Sequence, residues 1–223
     1  MPVKIPIDTF VAPKCEQKID ILHHDEHFLL INKPSGLLSL SGKNPLNKDS
    51  VHYRLVQDFP QAKLVHRLDF GTSGIMLVAL SKLANKDFTK QFQAHVINKT
   101  YIAILSGQLS QNQGNITAPI AKDPSLFPRL KVCFDTGKSC RSDFEVLERN
   151  ISSTRVRYKP VTGRTHQLRI HSQYMGHPIL GCDLYGTEET QSQSTRLLLH
   201  AETISFKHPI TWDTVVGKSP CEF

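Results

Sequence analysis

The residues best placed to do chemistry lie in Val65-His66-Arg67-Leu68-Asp69-Phe70-Gly71-Thr72-Ser73-Gly74, which runs directly into the apolar stretch Ile75-Met76-Leu77-Val78-Ala79-Leu80. A short apolar run bounded by Gly74 and Ser81 suits a buried strand. Arg67 and Asp69 therefore sit on a loop that enters the core. Charged groups beside a hydrophobic strand lose hydration, so they need a partner or a task. Taken alone, the segment fits equally well a structural turn, with Asp69 capping backbone N–H groups and the glycines supplying unusual backbone angles.

Other segments decide between the two. His66-Arg67-Leu68-Asp69 followed by Thr72-Ser73-Gly74 resembles the catalytic motif of the RluA-type pseudouridine synthases, which isomerise uridine to pseudouridine within RNA. Matching segments follow the family's order: Leu30-Ile31-Asn32-Lys33-Pro34-Ser35-Gly36-Leu37, Lys99-Thr100-Tyr101, Thr162-Gly163-Arg164-Thr165-His166-Gln167-Leu168-Arg169-Ile170-His171, Gly176-His177-Pro178-Ile179 and Leu198-Leu199-His200-Ala201. Collinear motifs over about residues 20 to 210 are far more specific than any one of them.

The resemblance implies roles residue by residue. Asp69 matches the catalytic carboxylate, which can attack carbon or stabilise positive charge developing on a sugar. To work at neutral pH it must stay ionised although partly dehydrated, which calls for a nearby cation; Arg169 matches the family's partner arginine, with Arg164 as its rival. Tyr101 matches the tyrosine that packs on the target base and is a possible proton-transfer group. Leu199 matches the apolar pocket residue. Arg67 matches the residue that inserts into the RNA when the uridine is flipped out of its stack, a step costing a few kcal/mol. His66, Arg164, Arg155, Arg157 and Lys159 complete the expected RNA contacts. The reaction is redox-neutral, so neither a cofactor nor a metal is expected.

Composition agrees with a polyanionic partner. Lys and Arg outnumber Asp and Glu by 27 to 20, for a net charge of +7. In Arg155-Val156-Arg157-Tyr158-Lys159 the period-two spacing puts three cations on one strand face, either a phosphate track or a solvated outer surface. The five cysteines show no C-x-x-C pair, which gives no zinc or disulfide pattern. With no signal-peptide core near the start and no membrane-length apolar run, the setting expected is cytoplasmic and reduced.

Three local patterns carry less than they suggest. Asp135-Thr136-Gly137 spells an aspartic-protease triplet without a second copy. Gly137-Lys138-Ser139 ends like a P-loop but has Val132 where the first glycine belongs. His23-His24-Asp25-Glu26-His27 lacks a further ligand at zinc spacing and reads as a polar turn.

The elements that must hold the chemistry are legible in outline. Phe28 to Ile31 reads as a buried strand, and Ser50 to Phe59 as a helix with Asp49 or Ser50 as cap and Pro60 as stop. A second helix starts at Ser81 with Ala84, Phe88 and Phe92 on its core face. Lys99 to Leu105 is a strand, Gln108 to Pro128 mostly loop, and Thr165 to Ser172 a helix. The expectation is an α+β fold, a mixed, largely antiparallel sheet with flanking helices and a central active-site cleft: an N-terminal arm over 1–17, with Phe10 and Val11 as candidates to pin it, and one catalytic domain over 18–223. The longer relatives' S4 module is absent, leaving the catalytic domain to make the RNA contacts, as a monomer. The resemblance points to structured RNA, a tRNA anticodon stem-loop and a 23S rRNA hairpin. The alternatives are a non-catalytic RNA-binding protein and a glycosidase-like hydrolase.

Overall fold

The computed structural model describes residues 10–126 and 128–223. In chain order the elements are β1 (Asp20–His24), β2 (Phe28–Lys33), α1 (Val51–Asp58), β3 (Lys63–Leu64), β4 (Ser73–Ala79), α2 (Lys82–Gln93), β5 (Asn98–Ser106), β6 (Gln113–Ile116), β7 (Ile120–Lys122), β8 (Leu130–Val132), β9 (Ser142–Arg149), β10 (Ser153–Pro160), α3 (Gln167–Tyr174), α4 (Glu188–Ser192), β11 (Leu199–Lys207) and β12 (Thr214–Lys218). Ten strands form one sheet with the order β1-β2-β4-β11-β5-β10-β9-β6, to which β3 adds beside β4 and β12 beside β11. β7 and β8 form a separate two-stranded sheet.

Every pairing in the large sheet is antiparallel except one: β4 and β11 run parallel, with His200 opposite Ser73 and Ala201 opposite Gly74. This seam divides the core. On one side the apolar residues of β2 and β4 pack against Val51 and Leu55 of α1 and Ala84 and Phe88 of α2. On the other, Ala103 and Leu105 of β5, Val156 and Tyr158 of β10 and Leu168 and Ile170 of α3 form a second cluster, and Tyr101 packs against both. The strands close together at the seam because Gly74, at φ +112°, has no side chain: a Cβ there would lie 2.2 Å from the Ala201 carbonyl oxygen.

Local chemistry accounts for the elements. All seven residues of β4 are buried, as a strand covered on both faces requires. Ser50 and Ser81 cap α1 and α2, their side chains accepting from the Tyr53 and Ala84 N–H groups. The arm is fastened from residue 10 onward: Asn47 exchanges hydrogen bonds with the Phe10 carbonyl and Ala12 N–H, and the Phe10 ring meets Phe70 edge-on. Residues 1–9 of the arm lie outside the described residues. His23 and His24 end β1, and 25–27 form the turn into β2, where Asp25 accepts from the His27 and Phe28 N–H groups and pairs with His208.

One expectation gains detail and one changes. Gln108 to Pro128 is mostly loop, as read, but also holds β6, β7 and the start of a hairpin. β6 reads as loop because it is polar, as edge strands are; only its Ile116 is buried, and Gly114 lies where a Cβ would meet the Phe144 ring at 2.9 Å. The helix expected from Thr165 starts instead at Gln167, because His166 takes up left-handed backbone angles, φ 57° and ψ 15°.

Candidate active site

The loop carrying Asp69 is held from beneath by the segment 33–39. Lys33 Nζ, wholly buried, donates to the carbonyls of Pro34, Leu37 and Phe70. Ser35 donates to the Gly71 carbonyl, the Gly36 N–H to that of Phe70, and Ser39 both donates to the Leu68 carbonyl and accepts from its N–H. A loop without a ladder of its own thus has its polar groups met by a neighbouring turn. Burial lowers the Lys33 pKa to about 7, Asp69 being the nearest opposing charge.

Asp69 faces a cleft of about 890 Å³ whose lining includes Arg67, Tyr101, Arg164, His166, Arg169 and Leu199. Residues far apart in sequence thus converge near the starts of β4 and β11, where the two strands pair. Arg169 Nη1 lies 3.7 Å from Asp69 Oδ2, with the arginine side chain 4% exposed and the carboxylate 26%. The other end of the guanidinium pairs with Asp183, while Nε points to the Cys182 sulfur and the plane lies 5.2 Å from the Tyr185 ring centroid. Arg169, rather than Arg164, is the cation placed against Asp69; Arg164 is exposed on the rim, reaching the Ser139 carbonyl at 3.4 Å.

Tyr101 is at the floor. Burial, together with the Asp69 charge, pushes its phenol well above the usual tyrosine range. At neutral pH it is protonated, so any proton transfer there starts from the phenol. Leu199 is buried beside it in the cleft lining. Arg67 is exposed and makes no hydrogen bond or ion pair with the described residues, which leaves its guanidinium available to a ligand. Lys99, its pKa lowered by burial, lies 5.5 Å from the Phe92 ring centroid at the cleft edge. Phe92, read from sequence as core, therefore has one side on the cleft.

The structure corrects two groups of expected RNA contacts. His66 lines the cleft, but its Nε2 accepts from the Leu77 N–H and its ring stacks against Phe92. Burial lowers its pKa to about 3, with Lys99 adding to the effect, so it is a neutral anchor for the loop and not a cation for phosphate. Arg155, Arg157 and Lys159 do share one face of β10, but Val156 and Tyr158 face the cluster beneath the cleft, so the cations point to the opposite side. There Arg157 bridges Glu145 at 2.8 Å and Glu202 at 3.1 Å, Lys159 lies 3.7 Å from Glu145, and Arg155 is in register with Glu148. The stripe is a charge-matched outer surface because neighbouring strands carry the carboxylates.

Sequence reasoning missed His166, Asp183 and Tyr185. Asp183 left a signal: it is the only carboxylate between Glu148 and Glu188, in a stretch rich in Arg and His. His166 Nε2 is 4.0 Å from Asp69 Oδ1, and its Nδ1 is 2.7 Å from the Tyr185 hydroxyl.

A lone carboxylate set against a buried arginine and a buried phenol, in a cleft rimmed by Arg67, Arg164 and Lys99, defines an enzyme that presents one anion to a substrate with negatively charged flanks. The chain belongs to the RNA pseudouridylate synthase family, whose model matches residues 27–174. It is 47% identical over 204 residues to a dual-specificity RNA pseudouridine synthase RluA of Yersinia pestis, covering 91% of this chain and 99% of that one. The RluA of Escherichia coli strain K12 is 42% identical over 212 residues, covering 95% and 97%. Among solved structures, human RNA pseudouridylate synthase domain containing 1 superposes with a TM-score of 0.78 at 28% identity, covering 93% of this chain and 85% of that one. Human RNA pseudouridylate synthase domain containing 4, with a TM-score of 0.71 at 22% identity over 91% of this chain and 88% of that one, shares the fold. The protein is accordingly an isomerase that forms pseudouridine from uridine in RNA, on the α+β fold expected.

Proposed function

We propose that Asp69 is the reactive carboxylate and that the substrates are two structured RNAs, a tRNA anticodon stem-loop and a 23S rRNA hairpin. The observation that carries the site assignment is the pairing of Asp69 with the buried Arg169 in a cation-rimmed cleft. The curated relatives' description as dual-specific enzymes supports two substrates.

In the reaction the uridine N1–C1′ bond breaks, the uracil turns, and C5 bonds to C1′; C5 gives up its proton and N1 gains one, so the net change is an isomerisation. Asp69 attacks C1′ or balances positive charge on the sugar, with Arg169 as its cationic partner. Tyr101 and Leu199 give the turning base its apolar contacts. Arg67 fills the stack left by the flipped uridine, and Arg164 meets phosphate. No step requires a cofactor or metal. One chain contains the whole cleft, which supports action as a monomer. No helix among the described residues is long and apolar enough to cross a membrane, and RNA substrates of this kind place the enzyme in the cytoplasm.

Mapping pseudouridines in RNA from cells lacking the protein tests the substrates: sites missing from both a tRNA anticodon arm and 23S rRNA support the proposal, and loss from one RNA alone defeats dual specificity. Arg67→Ala should cost less on an RNA whose uridine is already unstacked. Equal losses on stacked and unstacked RNA would reduce Arg67 to a phosphate contact.

A further inference from the structure

His166 and His95 both line the cleft in left-handed backbone, and of the two it is His166 whose ring sits between a carboxylate and a phenol. It is a non-glycine residue in left-handed backbone, φ 57°, a conformation that persists only where the surroundings impose it. They do so through the next residue. The Gln167 side chain accepts from the Thr162 hydroxyl and the Arg164 N–H, and donates to the Arg141 carbonyl and Ser142 Oγ. With Gln167 anchored in this way, the imidazole lies between Asp69 and Tyr185.

The hydrogen bonds fit one tautomer of the ring. The Tyr185 hydroxyl accepts from the Leu130 N–H at 3.0 Å, so its own proton is free to go to His166 Nδ1, 2.7 Å away. An imidazole that accepts at Nδ1 holds its proton on Nε2 when neutral. That Nε2–H faces Asp69 Oδ1 at 4.0 Å, while Arg169 faces Oδ2 at 3.7 Å. Both gaps are longer than a hydrogen bond and can close when substrate fills the cleft.

We propose that His166 is a positioning residue for the reaction: as the neutral Nε2–H tautomer, fixed by Tyr185, it holds Asp69 Oδ1 while Arg169 holds Oδ2, so that the carboxylate meets C1′ in one orientation and leaves it as a stabilised anion. The role rests on the reading of Asp69 as the reactive group. The charged and titratable groups facing His166 are Asp69 from the loop before β4, Arg169 from α3, Asp183 and Tyr185 from the loop after it, and Arg67. Those facing Asp69 include Arg169, His166, Tyr101 and Lys33. Burial lowers the His166 pKa, with Arg169 and Arg67 acting in the same direction and Asp69 and Asp183 opposing.

Three variants and one spectrum test this. His166→Gly accepts the left-handed backbone without strain and removes the ring, so lost activity cannot be blamed on conformation. His166→Asn also tolerates that backbone and retains a shorter N–H donor. Tyr185→Phe removes the proton that fixes the tautomer. Because an N–H donor favours the ionised carboxylate, losing it should move the acid limb of the kcat profile to higher pH. We expect His166→Gly to lower kcat by about tenfold to a hundredfold with an unchanged KM for RNA and that upward shift; His166→Asn should recover part of both, and Tyr185→Phe should show a smaller loss of the same kind. Nitrogen-15 NMR of the wild-type enzyme should show His166 neutral and protonated on Nε2. A His166→Gly enzyme with wild-type kcat and acid limb, whatever its Tm, overturns the proposal, as does an Nδ1–H tautomer. An active Asp69→Asn enzyme would overturn the proposed function, whereas an inactive Asp69→Asn beside a fully active His166→Gly defeats the His166 role alone.

Discussion

Arg157 and Arg169 are each held between two carboxylates, Glu145 and Glu202 in the first case and Asp69 and Asp183 in the second. Arg157 lies on the outer face of the sheet with its side chain 31% exposed; Arg169 is 4% exposed under the cleft. Distance alone would favour Arg157, which hydrogen-bonds both partners at 2.8 and 3.1 Å, whereas Asp69 is 3.7 Å from Arg169. Closeness is what disqualifies the outer pair. The hydrogen bond from Arg157 holds Glu145 below the usual carboxylate range and engages one of its oxygens. Arg169 instead spends its tight contact on Asp183, whose side chain is 61% exposed. Asp69 then lies 3.7 Å from a buried positive charge without being hydrogen-bonded by it, which on the proposed role leaves the carboxylate open to carbon.

The sharpest break between the two pairs is in turnover. Asp69→Asn should abolish tritium release from C5-labelled uridine RNA while RNA affinity stays near wild type, since affinity depends mainly on phosphate contacts; Glu202→Gln should leave turnover unchanged. Measurable release by the Asp69→Asn enzyme would erase the distinction.

In stability the next largest effect should come from stripping Arg169 of both partners. Asp69→Asn alone leaves Asp183 in place, but with Asp183→Asn added the buried guanidinium has no counter-charge, at a cost of about 3–5 kcal/mol by urea unfolding. If the double variant is no less stable than the singles, Arg169 is not held by this pair.

Lys33 sharpens the comparison as a buried cation held by carbonyls in place of carboxylates. Its folded pKa, about 7, is below the ordinary 10.5. The unfolded chain therefore binds more protons between those values, and stability rises with pH across that window. Relative to Lys33→Met, which cannot titrate, the wild type should gain up to about 1.4 kcal/mol per pH unit as pH rises from about 7 toward 10.5, and the difference should be flat below that window. Parallel stability curves for the two proteins would show that Lys33 does not titrate there.

The smallest effect belongs to the outer pair. Arg157→Met should cost about 1 kcal/mol or less, because an exposed ion pair gains little over its hydrated parts. Its turnover should match wild type, and a clear loss of RNA binding would return β10 to the RNA surface.

What could be read from sequence was whatever a single segment determines. The buried run of β4, the alternation in β10 and the caps at Ser50 and Ser81 are local patterns, and each stands in the fold as read. The carboxylates that cancel the β10 stripe were invisible because they depend on strand register, which β10 alone does not contain. Asp69, Tyr101, Arg169 and Leu199 could be named because whole motifs matched, and the fold brings them into one cleft. Asp183 and Tyr185 come from an irregular loop with no periodicity, and His166 was read as an ordinary part of a helix when it is the bend that precedes one.

The single parallel seam also bears on how the enzyme comes into being. Ser73 and His200, hydrogen-bonded across it at 2.8 Å, are 127 residues apart in the chain, so the polymer must close a very long loop before these strands can pair. Contacts of that range form slowly. The half containing β2, β4 and their helices can collapse while later residues are still being synthesised, with Asp69 already on its loop but lacking Leu199 and Arg169. Catalytic competence is therefore acquired only when β11 docks, and a chain interrupted before that strand would carry the carboxylate without the surroundings that make it reactive.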